Sequence, residues 1–295
     1  MDAPISAAEA TTDDPLLTTP PAGVLLDFDP KRDGFSFANH FEWTDPDLTL
    51  LSEALRPVVM GTFGLSGAAL GLSRGSRGVL SGGVLGVAGA IGGASDRLVR
   101  SVATRWPSFG LCGGMALAAV ERWPAKGRVA TSDLKKELIR PLLRRRQEAT
   151  LRAGLARFAA YWSRVRFLPG ATPDAPFARL LTRELDRIEA RVREGRPVVL
   201  GLVGDAPDPF ALHQVVAYGL DRTGPLTSTV TVYDPNRPGQ SGTIQTAPSP
   251  ATGRTRIRTD LTTGPRPSGR CHVSTRPGHL SHIFAIEPRR RSVLG

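Results

Sequence analysis

Cysteine is nearly absent: Cys112 and Cys271 are the only two in 295 residues. Two thiols exclude a disulfide framework and a cysteine-rich zinc site. Unpaired thiols in a reducing compartment are the ordinary reading, with a single bridge as the alternative. Lysine is scarce too, at positions 31, 126, 135 and 136, so nearly all 38 basic residues are arginine. With 27 acidic residues the formal charge is +11 and the pI about 10.8. Aromatics make up only 6% of the chain, and no aromatic stripe is interleaved with the densest basic clusters, Arg144-Arg145-Arg146 and Arg289-Arg290-Arg291. A nucleic-acid groove needs such stacking platforms, so no nucleic-acid partner is expected. Weak attraction to anionic surfaces is what the charge implies. The start, MDAPISAAEATTDDPLLTTPP, is acidic and has neither a basic n-region nor an apolar h-region. It does not read as a secretory signal, and cytoplasmic residence is the default expectation; export by a dedicated machine leaves no such mark.

What is present divides the chain into five parts. Residues 1–25, rich in Thr, Pro, Asp and Ala, read as a disordered arm. Residues 26–57 form an ordered lead-in whose Phe35, Phe37 and Phe41 are expected to pack on the main domain. Residues 58–95 carry glycine at 61, 64, 67, 71, 75, 78, 82, 86, 89 and 93, a helical period. Two apolar stretches of about 16 and 17 residues flank Arg74 and Arg77, each short of the ~20 that a span needs. This segment reads as a low-complexity insertion, a close-packed helical hairpin or a candidate membrane contact. Residues 96–288 form the main domain, and 289–295 a basic tail.

Within the main domain helices precede strands. A helix begins at Cys112. A second segment, with Ser132 as its cap, is expected to be kinked or divided at Pro141. A helix over 151–166 follows. Another over 174–194 carries the stripe Phe177, Leu180, Leu181, Leu185, Ile188 and Val192, with Gly195 as its stop. Strands are expected at 197–204, 213–221, 228–236, 254–261 and 282–288, with loops at 237–252 and 262–280. Helices followed by strands, with few βαβ alternations, argue for an α+β fold.

The chemistry gathers at Cys112. A thiol is a weak nucleophile until its proton is drawn off. A helix N-terminus offers a positive dipole end, and an imidazole can take the proton. A third group then fixes the ring. Cys112 precedes Gly113 and Gly114, where backbone can approach a substrate carbonyl. His213 opens the run Val215-Val216-Ala217-Tyr218-Gly219, and the next strand ends in Asp234-Pro235-Asn236. Antiparallel pairing of the two strands brings Asp234 towards His213, with Asn236 as the alternative orienter. Asp234 can equally serve as a simple turn initiator. His272, His279 and His282 lie near Cys271 but match no zinc spacing, so neither a metal nor a cofactor is expected.

Cys112-Gly113, then His213-Gln214-Val215-Val216-Ala217-Tyr218-Gly219, then Asp234-Pro235 resembles the papain-like cysteine peptidase superfamily. The likeness is closest to bacterial branches such as the peptidases that process double-glycine leader peptides, and it covers roughly 104–288. It implies a papain-like α+β fold, with the cysteine helix packed on a C-terminal antiparallel sheet that carries His and Asp. It also implies a catalytic triad of Cys112, His213 and Asp234 that attacks a peptide or isopeptide amide through an acyl-enzyme, by hydrolysis or acyl transfer. The superfamily usually carries a glutamine about six residues before the cysteine, as an oxyanion donor. Here that place is held by Trp106, leaving Trp106 and Ser108 as substitutes. Two alternatives of other classes remain: a papain-fold protein that binds a peptide or protein without turnover, and a membrane-active effector that uses 58–95.

Overall fold

The computed structural model describes residues 23–53, 100, 110–125, 134–167, 174–204, 213–249, 255–261 and 280–288. The chain enters on a short strand β1 (Val24–Leu25), followed by helix α1 over residues 45–53. Three longer helices come next: α2 (Cys112–Arg122), extended by a 3-10 turn Trp123–Ala125, then α3 (Lys136–Phe167) and α4 (Asp174–Arg193). Six strands follow among the described residues: β2 (Val198–Gly204), β3 (His213–Arg222), β4 (Ser228–Tyr233), β5 (Ser241–Pro248), β6 (Thr255–Thr259) and β7 (Leu280–Ile286).

Each of these six strands pairs antiparallel with the next, and β7 returns to β2. The result is a closed six-stranded antiparallel barrel. This corrects the papain-like α+β expectation of a cysteine helix on an antiparallel sheet. The overturning element is β5, which falls in the segment expected to be a loop. SGTIQTAP lacks a β-branched apolar run, yet Gly242, Ile244 and Thr246 are buried in alternation along it. Period two with small side chains is a barrel pattern. With β5 bridging β4 and β6, the sheet has no open edge at that side.

Alternate residues from all six strands, including Leu200, Val215, Val232, Ile244, Ile257 and Ile283, form one buried cluster that fills the barrel. The apolar stripe of α4, Leu181, Leu185, Ile188 and Val192, joins it. Gly195, with φ of +72°, then ends the helix in a left-handed turn closed by the Arg196 N–H on the Arg191 carbonyl. The opposite faces of β2, β3 and β7 present Val199, Val203, Val216, Phe284 and Ile286. These meet Ala116, Leu117 and Ala119 of α2 and Phe158 and Tyr161 of α3. Thus α2 lies against the outside of the barrel, with Cys112 at its first position.

Pro141 does not divide α3: one helix runs through the two segments that the sequence separates. The ring of a proline opposes the carbonyl four residues earlier, here Glu137, in the first turn of the helix, where little ladder exists to disrupt.

The lead-in is part of the main domain. Val24 and Leu25, at the end of the segment read as an arm, pair with Leu220 and Gly219 of β3. Phe35 and Phe41 are buried with Leu111, Met115 and Leu143, and Phe37 packs beside them. Asp47 of α1 anchors this layer to α3 through Arg140 (2.6 Å) and Arg144 (2.8 Å). The glycine-periodic stretch 58–95, the basic tail, Ser132 and Cys271 lie outside the described residues. Among those described, no helix is long and apolar enough to cross a membrane.

Candidate active site

Cys112 stands at the first turn of α2, where backbone N–H groups have no partner within the helix. Leu111 precedes it and supplies no side-chain cap. The two glycines after it have a packing reason. A Cβ on Gly114 would lie 2.1 Å from the Leu143 carbonyl oxygen of α3, and one on Gly113 would lie 2.3 Å from Thr150 Oγ1 and 2.5 Å from Gln214 Oε1. The Gly114 N–H donates to Gln147 Oε1 at 2.8 Å. The glycine pair lets α2 press against α3 and β3.

β3 and β4 bring the other two residues together. Their register sets Val216 opposite Tyr233, so Asp234, just past the end of β4, reaches towards the start of β3. The Asp234 Oδ1 lies 2.7 Å from His213 Nε2. The same oxygen accepts the Asn236 N–H at 2.8 Å, and the Arg237 N–H donates to the Asp234 carbonyl at 2.9 Å. Asp234 therefore both initiates the turn and orients the histidine, and the turn fixes the direction of its carboxylate. Asn236 lies beside it, with Nδ2 3.4 Å from His213 Nε2.

The Cys112 side chain interacts with the His213 ring and favours its protonated form. Since Nε2 faces Asp234, Nδ1 is the nitrogen left for sulfur. All three residues are buried, with Cys112 at 8%, His213 at 6% and Asp234 at 3% exposure. Burial alone would drive the proton off the imidazole. The Asp234 charge and hydrogen bond, and the contact with Cys112, outweigh it and push the His213 pKa up to about 10. The balance favours the protonated ring at neutral pH.

The lead-in also reaches this site, which no sequence signal announced. The Asn39 N–H donates to the Pro235 carbonyl at 2.9 Å, and its side chain donates to Asn236 Oδ1 at 3.2 Å. A Cβ on Gly110, two residues before Cys112, would lie 2.9 Å from Asn39 Nδ2. The Phe35 N–H donates to the Tyr233 hydroxyl at 2.9 Å, beside Asp234.

Trp106 and Ser108, the expected oxyanion donors, lie outside the described residues, as do His272 and His279. His282 is buried against Tyr161, with ring centroids 3.8 Å apart, and against Phe177. Among the described residues, no three His, Cys, Asp or Glu side chains gather as metal ligands. Comparison of the chain with protein-family models, with curated proteins and with solved structures gives no match.

Proposed function

We propose that the protein is a cysteine peptidase or amidase, with Cys112 as nucleophile, His213 as acid and base, and Asp234 as orienter. The observation that carries this reading is the buried hydrogen bond from His213 to Asp234, with Cys112 interacting with the same ring. The residue order shared with papain-like peptidases supports the chemistry; the barrel gives it another frame.

In this reading the Cys112 sulfur attacks the carbonyl carbon of a peptide or isopeptide amide. The Cys112 backbone N–H, adjacent to the sulfur at the helix start, supports the developing oxyanion. His213 Nδ1 delivers its proton to the leaving amine as the C–N bond breaks, leaving a thioester on Cys112. A water or a second amine then attacks the thioester, giving its proton to His213, and the thiolate departs. Asp234 keeps Nε2 protonated, so that Nδ1 remains the working nitrogen.

The test is alkylation of Cys112 by iodoacetamide at pH 6, followed at the Cys112 peptide by mass spectrometry. The wild-type chain is expected to react, and His213→Ala to react about 10²–10⁴ times more slowly. Equal rates in the two chains would overturn the reading. The burial of the three residues favours a second reading, a protein that binds a peptide without turnover. p-Nitrophenyl acetate separates the two: a burst of nitrophenolate with acetylated Cys112 supports the enzyme, and His213-dependent alkylation without a burst selects the binder.

A further inference from the structure

One contact at the site is chemically mismatched. His213 Nε2 must carry a proton to bind Asp234 at 2.7 Å, whether or not the ring is charged. Asn236 presents its amide nitrogen to that same atom at 3.4 Å, so two donors face one another. On the far side of Asn236, its Oδ1 takes a hydrogen bond from Asn39 Nδ2 at 3.2 Å, while Asn39 Oδ1 is buried without a partner. The nitrogen and oxygen of an amide are nearly the same size, and a half-turn exchanges them without moving the chain. If both amides turn together, Asn236 Oδ1 faces the His213 N–H beside the Asp234 carboxylate. Asn236 Nδ2 then donates to Asn39 Oδ1. One unpartnered Asn39 atom remains in either arrangement, but the opposition at His213 disappears. Neither amide can turn alone, since that would set two oxygens or two NH2 groups face to face. The Asn39 backbone is held to Pro235, and its side chain rests against Gly110 on the cysteine side of the site.

We propose that Asn39, delivered by the N-terminal lead-in, is a positioning residue that turns the Asn236 amide so its oxygen becomes a second acceptor for His213 Nε2. Asn39 acts through Asn236 and touches neither sulfur nor substrate. The inference rests on Cys112 and His213 being the reacting pair. It makes residues 35–41 a working part of the site rather than a separable leader.

The experiment measures the pH profile of Cys112 alkylation in the full chain for wild type, Asn39→Ala, Asn39→Asp, Asn236→Ala and the Asn39→Ala/Asn236→Ala double variant, with His213→Ala as reference. Thermal melting of each establishes that it is folded. Asn39→Ala and Asn236→Ala are each expected to react about tenfold more slowly at pH 6, the scale of one hydrogen bond to a charged group. The double variant is expected to lose no more than either single one, since the two act as one unit. Asn39→Asp, which keeps an acceptor for Asn236 Nδ2, is expected to retain the wild-type rate. A wild-type profile in Asn39→Ala, or losses that multiply in the double variant, would overturn the proposal. If His213→Ala matches wild type, the underlying thiol–imidazole reading fails instead, and the two failures are told apart by that reference.

Discussion

Two buried carboxylates, Asp47 and Asp234, each hold a cation, and the difference between them separates fastening from chemistry. Asp47 is fully enclosed and is bonded by Arg140, Arg144, and the hydroxyl and N–H of Thr44. Burial pushes its pKa up, but the Thr44 hydrogen bond and the two guanidiniums outweigh it and hold the carboxyl below its ordinary range. Its partners never give up a proton, so the cluster can only dock α1 onto α3. Asp234 is also buried, but its partner is an imidazole that interacts with the Cys112 side chain as well. A titratable cation between a carboxylate and a nucleophile can move a proton; a guanidinium cannot.

The largest expected effect breaks the fastener. Asp47→Ala leaves the buried Arg140 and the partly buried Arg144 without the Asp47 carboxylate, and is expected to cost about 3–5 kcal/mol of unfolding free energy. In chemical denaturation the midpoint should fall steeply, while the folded fraction alkylates Cys112 at the wild-type rate. A small loss of stability, or a selective loss of Cys112 reactivity, would place Asp47 in the same class as Asp234.

Asp234→Asn sharpens the contrast from the other side. The amide still offers an oxygen to His213 Nε2 and to the Asn236 N–H, so above the His213 titration window, where the ring is neutral in both chains, stability should fall by only about 1 kcal/mol. Removing the charge that outweighs burial should instead lower the His213 pKa. Cys112 alkylation at pH 6 should therefore slow by about tenfold. A stability loss as large as that of Asp47→Ala, with reactivity intact, would make Asp234 a second fastener.

The same contrast shows what a sequence carries. Local signals were readable: two glycines before an apolar helical period located the start of α2, and β-branched runs located β2, β3 and β4. Neighbouring strands then put Asp234 near His213, because hairpin geometry is local. The barrel was not readable, because its closure depends on β5, where Gly242, Ile244 and Thr246 carry the alternation instead of valines. Whether a six-stranded sheet closes is decided by how β7 meets both β6 and β2, a long-range matter. Asn39 was hidden for a similar reason, lying 197 residues from its partner Asn236. The packing role of Gly113 and Gly114 was not readable, because α3 and β3, which crowd them, come later in the chain.

The smallest effect is a division of the pH dependence of stability between the two carboxylate sites. The His213 pKa rises from 6.5 in the unfolded chain to about 10 in the folded protein. The folded state therefore binds more protons than the unfolded state between those values, and stability falls as pH rises through that window. Below 6.5 the contribution of this pair is fully present. Asp47 works in the opposite sense. Its folded pKa lies below the unfolded 3.8, so its contribution is present above 3.8 and is lost as pH falls through the lower, folded value. Urea midpoints measured from pH 2.5 to pH 10 should show both limbs in the wild-type chain. His213→Gln, whose amide can still donate to Asp234, should flatten the alkaline limb and leave the acid one. Asp47→Asn should weaken the acid limb and leave the alkaline one. If His213→Gln keeps the full alkaline decline, the imidazole is not held charged by Asp234 and Cys112. The resting ring would then be neutral, with no imidazolium ready to serve as the acid.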